Sequence, residues 1–129
     1  DCPPNVHLLG AVAYPKAMQL LAQSRVYCLP TYYAEGFPTT LLEAAACRCP
    51  IVTTHTAGTG ELLPDGTYAA YLESTAPAAL AAALQAVLAD PDAARTRADA
   101  AYINLCAHFT WQAVFATMEK TAAQAAKRS

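Results

Sequence analysis

Two carboxylates, Glu35 and Glu43, bracket the segment Gly36-Phe-Pro-Thr-Thr-Leu-Leu42 and form the part of this sequence best suited to chemistry. Glu35 falls in the loop Tyr32-Tyr-Ala-Glu-Gly-Phe-Pro38, and Glu43 falls within the first turns of a helix expected from about Thr39 to Cys47. That spacing can aim both carboxylates into one cleft as acceptors for hydroxyl groups. Gly36 allows close backbone approach. The free N–H groups and positive dipole end of the helix start, at Thr39 and Thr40, would attract a phosphate. A nucleoside diphosphate fits such a place. The same residues carry two competing readings. Thr40-Leu-Leu-Glu43 is an acceptable capping box, which would spend Thr40 and Glu43 on the helix's own N–H groups. Paired acids also suit glycoside hydrolysis, although nothing else in the sequence supports that reaction.

The elements that must position these residues alternate between strand and helix. Val6-His-Leu-Leu9, closed by Gly10, and Val26-Tyr-Cys-Leu29, closed by Pro30, are continuous apolar runs of the kind buried on both faces of a sheet. Between them Pro15 is placed for a helix start, and Ala17, Leu20 and Leu21 recur at helical spacing until Ser24. Pro50-Ile-Val-Thr-Thr54 and Tyr68 to Leu72 are expected as the third and fourth strands, joined by a Gly-rich loop. Alternation of this kind implies a parallel sheet in an α/β fold, and the loop at residue 32 then lies at the carboxyl end of a strand, where open sheets hold ligands.

Three amphipathic helices are expected over about residues 76–127. Their stripes are Leu80, Leu84, Val87 and Leu88; then Tyr102, Leu105, Cys106 and Phe109; then Trp111, Val114, Phe115 and Met118. Asp90-Pro91 separates the first two, and Thr110 is placed to cap the last. All three stripes are read as core.

The chain has 129 residues, of which 55% are hydrophobic and 14% charged, so a single globular domain with its own core is expected. A net charge of -2 gives no general footprint for nucleic acid. Five cysteines without paired spacing provide neither a disulfide framework nor a metal site, and Cys28 and Cys106 read as small buried hydrophobes of a reducing compartment. Cytoplasm is the default location. No apolar stretch is long enough to span a bilayer, so any membrane contact of the full-length protein would be peripheral, at the cytoplasmic face. His55 is expected near the cleft as an exposed loop residue, and His7 and His108 have no partner suggested by sequence.

The ordered motifs resemble the large retaining GT-B glycosyltransferase group, glycosyl transferases group 1, with its E-x7-E signature. Glu35-Gly-Phe-Pro38 with Glu43 matches E-G-F-P and the second acid. Around them stand Val6-His-Leu-Leu-Gly10, Leu29-Pro-Thr31, Glu43-Ala-Ala-Ala-Cys-Arg-Cys-Pro-Ile-Val52, Ala57-Gly-Thr-Gly-Glu61, Asp65-Gly66 and Phe109-Thr-Trp111, each in the group's order. The resemblance implies a Rossmann-like parallel sheet with flanking helices, the C-terminal half of a GT-B fold, truncated at its N-terminal edge. It also implies transfer of a sugar from a nucleotide diphosphate sugar to an acceptor with retention of configuration, without a cofactor or an essential metal. Glu35 would then be the catalytic residue, its carboxylate touching the donor sugar's hydroxyls. Gly36, Phe37, Pro38, Thr39 and Thr40 would meet the diphosphate, Glu43 would hold the ribose, and the loop after Gly10 would flank the base.

Two features depart from that pattern. Arg48 stands where the group usually has Gly in a left-handed turn, at a cost of roughly 1 kcal/mol, and Ala57 replaces the first Gly of a pair. The group's diphosphate-neutralising Arg and Lys, and the N-terminal domain that carries the acceptor site, have no counterpart among these residues. A donor-binding part, inactive alone, is therefore expected. The alternative is a non-catalytic interaction module that retains the fold.

Overall fold

Strands and helices alternate up to residue 72, and only helices follow. The computed structural model describes residues 2–33 and 36–127. The element order is α1 (Tyr14–Gln23), β1 (Tyr27–Leu29), α2 (Thr39–Ala46), β2 (Ile51–Thr54), α3 (Ala57–Leu62), β3 (Ala70–Leu72), α4 (Pro77–Ala89), α5 (Pro91–His108) and α6 (Trp111–Ala126). The strands form a parallel sheet in the order β1-β2-β3, with Cys28 opposite Val52 and Thr53 opposite Tyr71.

The two faces of the sheet follow the period of two in the side chains. Tyr27, Leu29, Ile51 and Tyr71 point to one layer, where they meet Leu41, Ala44 and Ala45 of α2, Leu62 of α3 and Ala101 of α5. Cys28, Val52, Ala70 and Leu72 point to the other, where they meet Val87, Leu80 and Leu84 of α4. Small residues let the helices approach closely: α5 buries Ala94, Ala98 and Ala101, and α2 buries Ala44 and Ala45.

Local chemistry sets most boundaries. Pro15 lies in the first turn of α1 and Pro91 in that of α5. Asp90 caps α5 by accepting from the Ala93 N–H at 2.9 Å, and Thr110 caps α6 by accepting from the Ala113 N–H at 3.2 Å. Arg48 closes α2 with a left-handed φ of 51°, as its place in the motif leads one to expect.

Several sequence expectations are corrected. Val6-His-Leu-Leu9 is not a strand: it pairs with no described strand, and Leu8 is 86% exposed. Extended backbone becomes a strand only when a neighbour takes its N–H and C=O groups, and an apolar run records only a preference for burial. The sheet accordingly has three described strands rather than four. The fourth expected strand starts two residues late because Tyr68 is held in a turn by its N–H bond to the Asp65 carbonyl. The Gly-rich loop contains a helix, α3, started by a reciprocal box between Thr56 and Thr59. The Trp111, Val114, Phe115 and Met118 stripe is exposed rather than core, and Cys106 is exposed. In α5 the buried side is the alanine row, with Tyr102, Leu105 and Phe109 only half-buried.

Candidate functional site

The carboxyl ends of all three strands open on one cavity of about 430 Å³. Thr31 comes from the end of β1, Thr54, His55 and Thr56 from the end of β2, and Glu73, Ser74 and Thr75 from the end of β3; Tyr32 stands at the mouth. Six hydroxyls, one imidazole and one carboxylate therefore converge where a parallel sheet leaves its strand ends unfilled. This is a lining for a polyhydroxylated or phosphorylated ligand, since each hydroxyl both donates and accepts.

The lining is fixed from beneath. Thr53, fully buried, donates its hydroxyl to the Leu29 carbonyl at 3.0 Å, and Thr54 donates to the Thr31 carbonyl, so the ends of β1 and β2 are tied together. The His55 ring packs on Tyr71 with centroids 5.0 Å apart, and Tyr71 in turn donates its hydroxyl to the Leu63 carbonyl. Burial and then the Asp65 carboxylate push the Tyr71 phenol up to about 12, so it remains a hydrogen-bond donor throughout the physiological range. Gly60 leaves room for His55: a Cβ there would stand 3.1 Å from the imidazole Cε1. Thr56 starts α3 at the rim, its hydroxyl accepting from the Thr59 N–H at 3.3 Å while its own N–H donates to the Thr59 hydroxyl at 2.7 Å.

The residues singled out from sequence sort into several groups. Glu35 lies outside the described residues. Gly36 is exposed, with open space where a side chain would project. Phe37 is half-buried and stacks on Phe109 at 5.2 Å, so its ring anchors the loop to the end of α5. Pro38 is buried and is the N-cap of α2; its ring offers no side-chain acceptor, and the helix start carries no side-chain cap. Thr39 and Thr40 are thus the first residues of an uncapped helix, with backbone donors available to an anion.

The capping box expected at Thr40 and Glu43 does not form. With Pro38 as N-cap, Thr40 is already the second helical residue, and the two box positions, 38 and 41, hold Pro and Leu. Glu43 is half-buried one turn into α2 and accepts no hydrogen bond from the described residues. It lies close enough to Tyr27 to affect its phenol. Burial raises the Tyr27 pKa first, Thr40 opposes the rise by hydrogen bonding, and the Glu43 carboxylate adds to it. Gly10 sits in an exposed left-handed turn with φ 62°, and no described side chain comes within 4 Å of its missing Cβ.

The sequence reading passed over Thr54, Thr56 and Glu73 to Thr75 as cavity lining. Each lies at or just past the carboxyl end of β2 or β3, so the positional rule that marks the loop at residue 32 marks these residues as well.

Comparison with known proteins agrees with this geometry. Residues 2–103 match the sequence model of the family described as glycosyl transferases group 1. Glycogen synthase of Mycobacterium tuberculosis is 38% identical over 120 residues, which is 93% of this chain and 28% of that protein. The GPI3 subunit of phosphatidylinositol N-acetylglucosaminyltransferase from Saccharomyces cerevisiae is 43% identical over 61 residues, 47% of this chain and 13% of that one. The solved structure of sucrose-phosphate synthase from Thermosynechococcus elongatus superposes with a TM-score of 0.78 at 26% identity, over 94% of this chain and 30% of that one. The chain spans less than a third of the length of each of these relatives. The α/β architecture is that of the C-terminal half of a GT-B fold.

Proposed function

Because the chain belongs to the glycosyl transferases group 1 family, we propose that it is the donor-binding part of a retaining glycosyltransferase that uses a nucleotide diphosphate sugar. The observation that carries this reading is the pairing, at one edge of the sheet, of an uncapped start of α2 with a hydroxyl-lined cavity of about 430 Å³. The first is suited to a diphosphate and the second to a sugar.

In this reading the loop through Glu35 and Gly36 lies against the donor sugar, with Glu35 as the catalytic residue whose carboxylate touches its hydroxyls. The N–H groups of Thr39 and Thr40 take the diphosphate, and Glu43, free of capping duty, accepts from the ribose hydroxyls. The segment after Gly10 flanks the base. Holding the departing diphosphate at a helix start stabilises the charge that develops as the sugar leaves, and the acceptor is positioned by parts of the protein beyond these residues. Residues 1–129 alone are then inactive. No helix among the described residues is long and apolar enough to cross a membrane. We place the reaction in the cytoplasm, with any membrane contact peripheral.

The test is titration calorimetry of the intact protein with UDP-, GDP- and ADP-sugars. Saturable binding of one of them is expected, and Glu43→Ala should weaken it by about tenfold or more, the size of one lost charge-assisted hydrogen bond. Its unfolding midpoint should hardly move, because Glu43 caps nothing. Absence of binding to all three donors would leave the non-catalytic module as the better reading.

A further inference from the structure

At the opposite edge of the sheet, beneath the amino ends of the strands, lies a larger cavity of about 520 Å³. It is walled by the end of α1, the end of α2 and the junction of α4 with α5. Three arginines line it, Arg25, Arg48 and Arg95, against one carboxylate, Asp99. Two positive charges are therefore in excess here, on a chain whose net charge is -2.

The arginine donors are largely unspent. Arg25 gives one long bond, 3.5 Å, to the Leu88 carbonyl. Arg48 gives one nitrogen to Asp99 at 3.0 Å and lays its guanidinium over the Tyr102 ring at 4.1 Å, which holds it in place without using its other donors. Arg95 makes no hydrogen bond or ion pair with any described residue.

Arg48 is also the one described non-glycine residue at positive φ, 51°. Glycine would occupy that turn without strain, and the motif pattern has glycine there. Retaining arginine there strains the backbone. The strain is accompanied by delivery of a guanidinium to the cavity wall, and an observed backbone outlier of this kind points toward function.

We propose that this cavity binds a small phosphate-bearing anion, at a site separate from the sugar-donor edge. Planar guanidinium groups meet phosphate through paired N–H donors, and the volume falls in the range of small-molecule sites, about 300–1,000 Å³. The apolar part of the wall, Val87 and Leu88, leaves room for the body that carries the phosphate. The ligand is soluble rather than part of a membrane surface, because the arginines line a concavity. The site does not depend on what the donor edge binds.

Calorimetric titration of the intact protein with inorganic phosphate in low-salt buffer tests the proposal. Saturable binding that weakens with added salt is expected, and Arg95→Gln and Arg25→Gln should each raise the Kd about tenfold, one charge-assisted contact apiece. Arg95→Gln should leave the unfolding midpoint unchanged, since Arg95 holds no other group. The proposal is overturned if wild type takes up no phosphate, or if both variants titrate like wild type, which would place the phosphate at the donor edge. Sedimentation with mixed phosphatidylcholine and phosphatidylserine vesicles that free phosphate does not compete away would overturn it in favour of a membrane surface.

Discussion

The sheet with its covering helices, β1 through α5, and the flanking segments, residues 2–13 and α6, treat similar apolar side chains in opposite ways. In the first region Leu41, Leu62, Leu63 and Val52 are almost wholly buried, and the buried row of α5 consists of alanines. In the second, Trp111, Val114, Phe115 and Met118 recur at helical spacing yet stand exposed, as do Val6, Leu8 and Leu9. The large stripe is open and the small one is closed. Burial is therefore decided by the surface available to receive a face, and α5 has one in α2 and α3 whereas α6 touches mainly the end of α5. The hydroxyl-lined cavity and the start of α2 belong to the first region, which together with the end of α1 also walls the arginine-lined cavity, so that part of the chain has to be rigid.

Truncating the packed region should have the largest effect. Leu41, 1% exposed at the start of α2, sits under the loop that carries Gly36 and Phe37. Leu41→Ala is expected to cost about 2–5 kcal/mol, the usual range for a buried leucine left as a cavity. Urea unfolding measures it. A loss below about 1 kcal/mol would mean that the region is no better packed than its flanks, and the contrast would fail.

How much of this was legible in the sequence depends on whether a feature is local. Pro15, Asp90, Pro91 and Thr110 act on their own helix starts, and each boundary lies where those residues place it. Parallel pairing followed from alternation, and His55, expected near the cleft from its place after a strand, does line the cavity there. The strand at Val6 to Leu9 and the core role of the Trp111 stripe failed for a shared reason. Both depend on a second surface, and an apolar pattern does not say whether that surface is present. The α3 helix was missed because Gly58 and Gly60 read as loop. Thr56 and Thr59 cap it reciprocally with hydroxyls in place of the usual Glu. The Thr40 and Glu43 box was a reading of spacing alone, which Pro38 as N-cap overrode.

A pH experiment sharpens the comparison at the sheet edge. Burial, and then Asp65, raise the Tyr71 phenol from an unfolded value of about 10 to about 12. The folded state therefore holds this proton more tightly. Its contribution to stability is complete below about pH 10 and is lost as pH rises toward 12. Tyr71→Phe should make that decline shallower, as followed by denaturant midpoints between pH 9 and about 12. Tyr27, raised mainly by burial, and Cys49, raised by burial and then Cys47 to about 11, keep part of the slope. An unchanged slope would mean that the Tyr71 hydroxyl is as open to water as the residues of the flanks.

The smallest expected effect is the most direct attempt to break the contrast. Trp111 is 76% exposed, and its closest aromatic neighbour, Phe115 at 6.0 Å, lies on the same helix. Trp111→Ala in the 129-residue chain should change stability by no more than about 0.5 kcal/mol, as for a surface position, because no cavity is opened. Its indole fluorescence should already lie near the water-exposed limit in the folded state. A cost near that of Leu41→Ala, or a blue-shifted emission, would show that the α6 face is covered in solution, for example by a second copy of the chain. Dilution would separate the two cases: emission that shifts red as the concentration falls reports a covering copy, and emission that does not move reports packing within one chain.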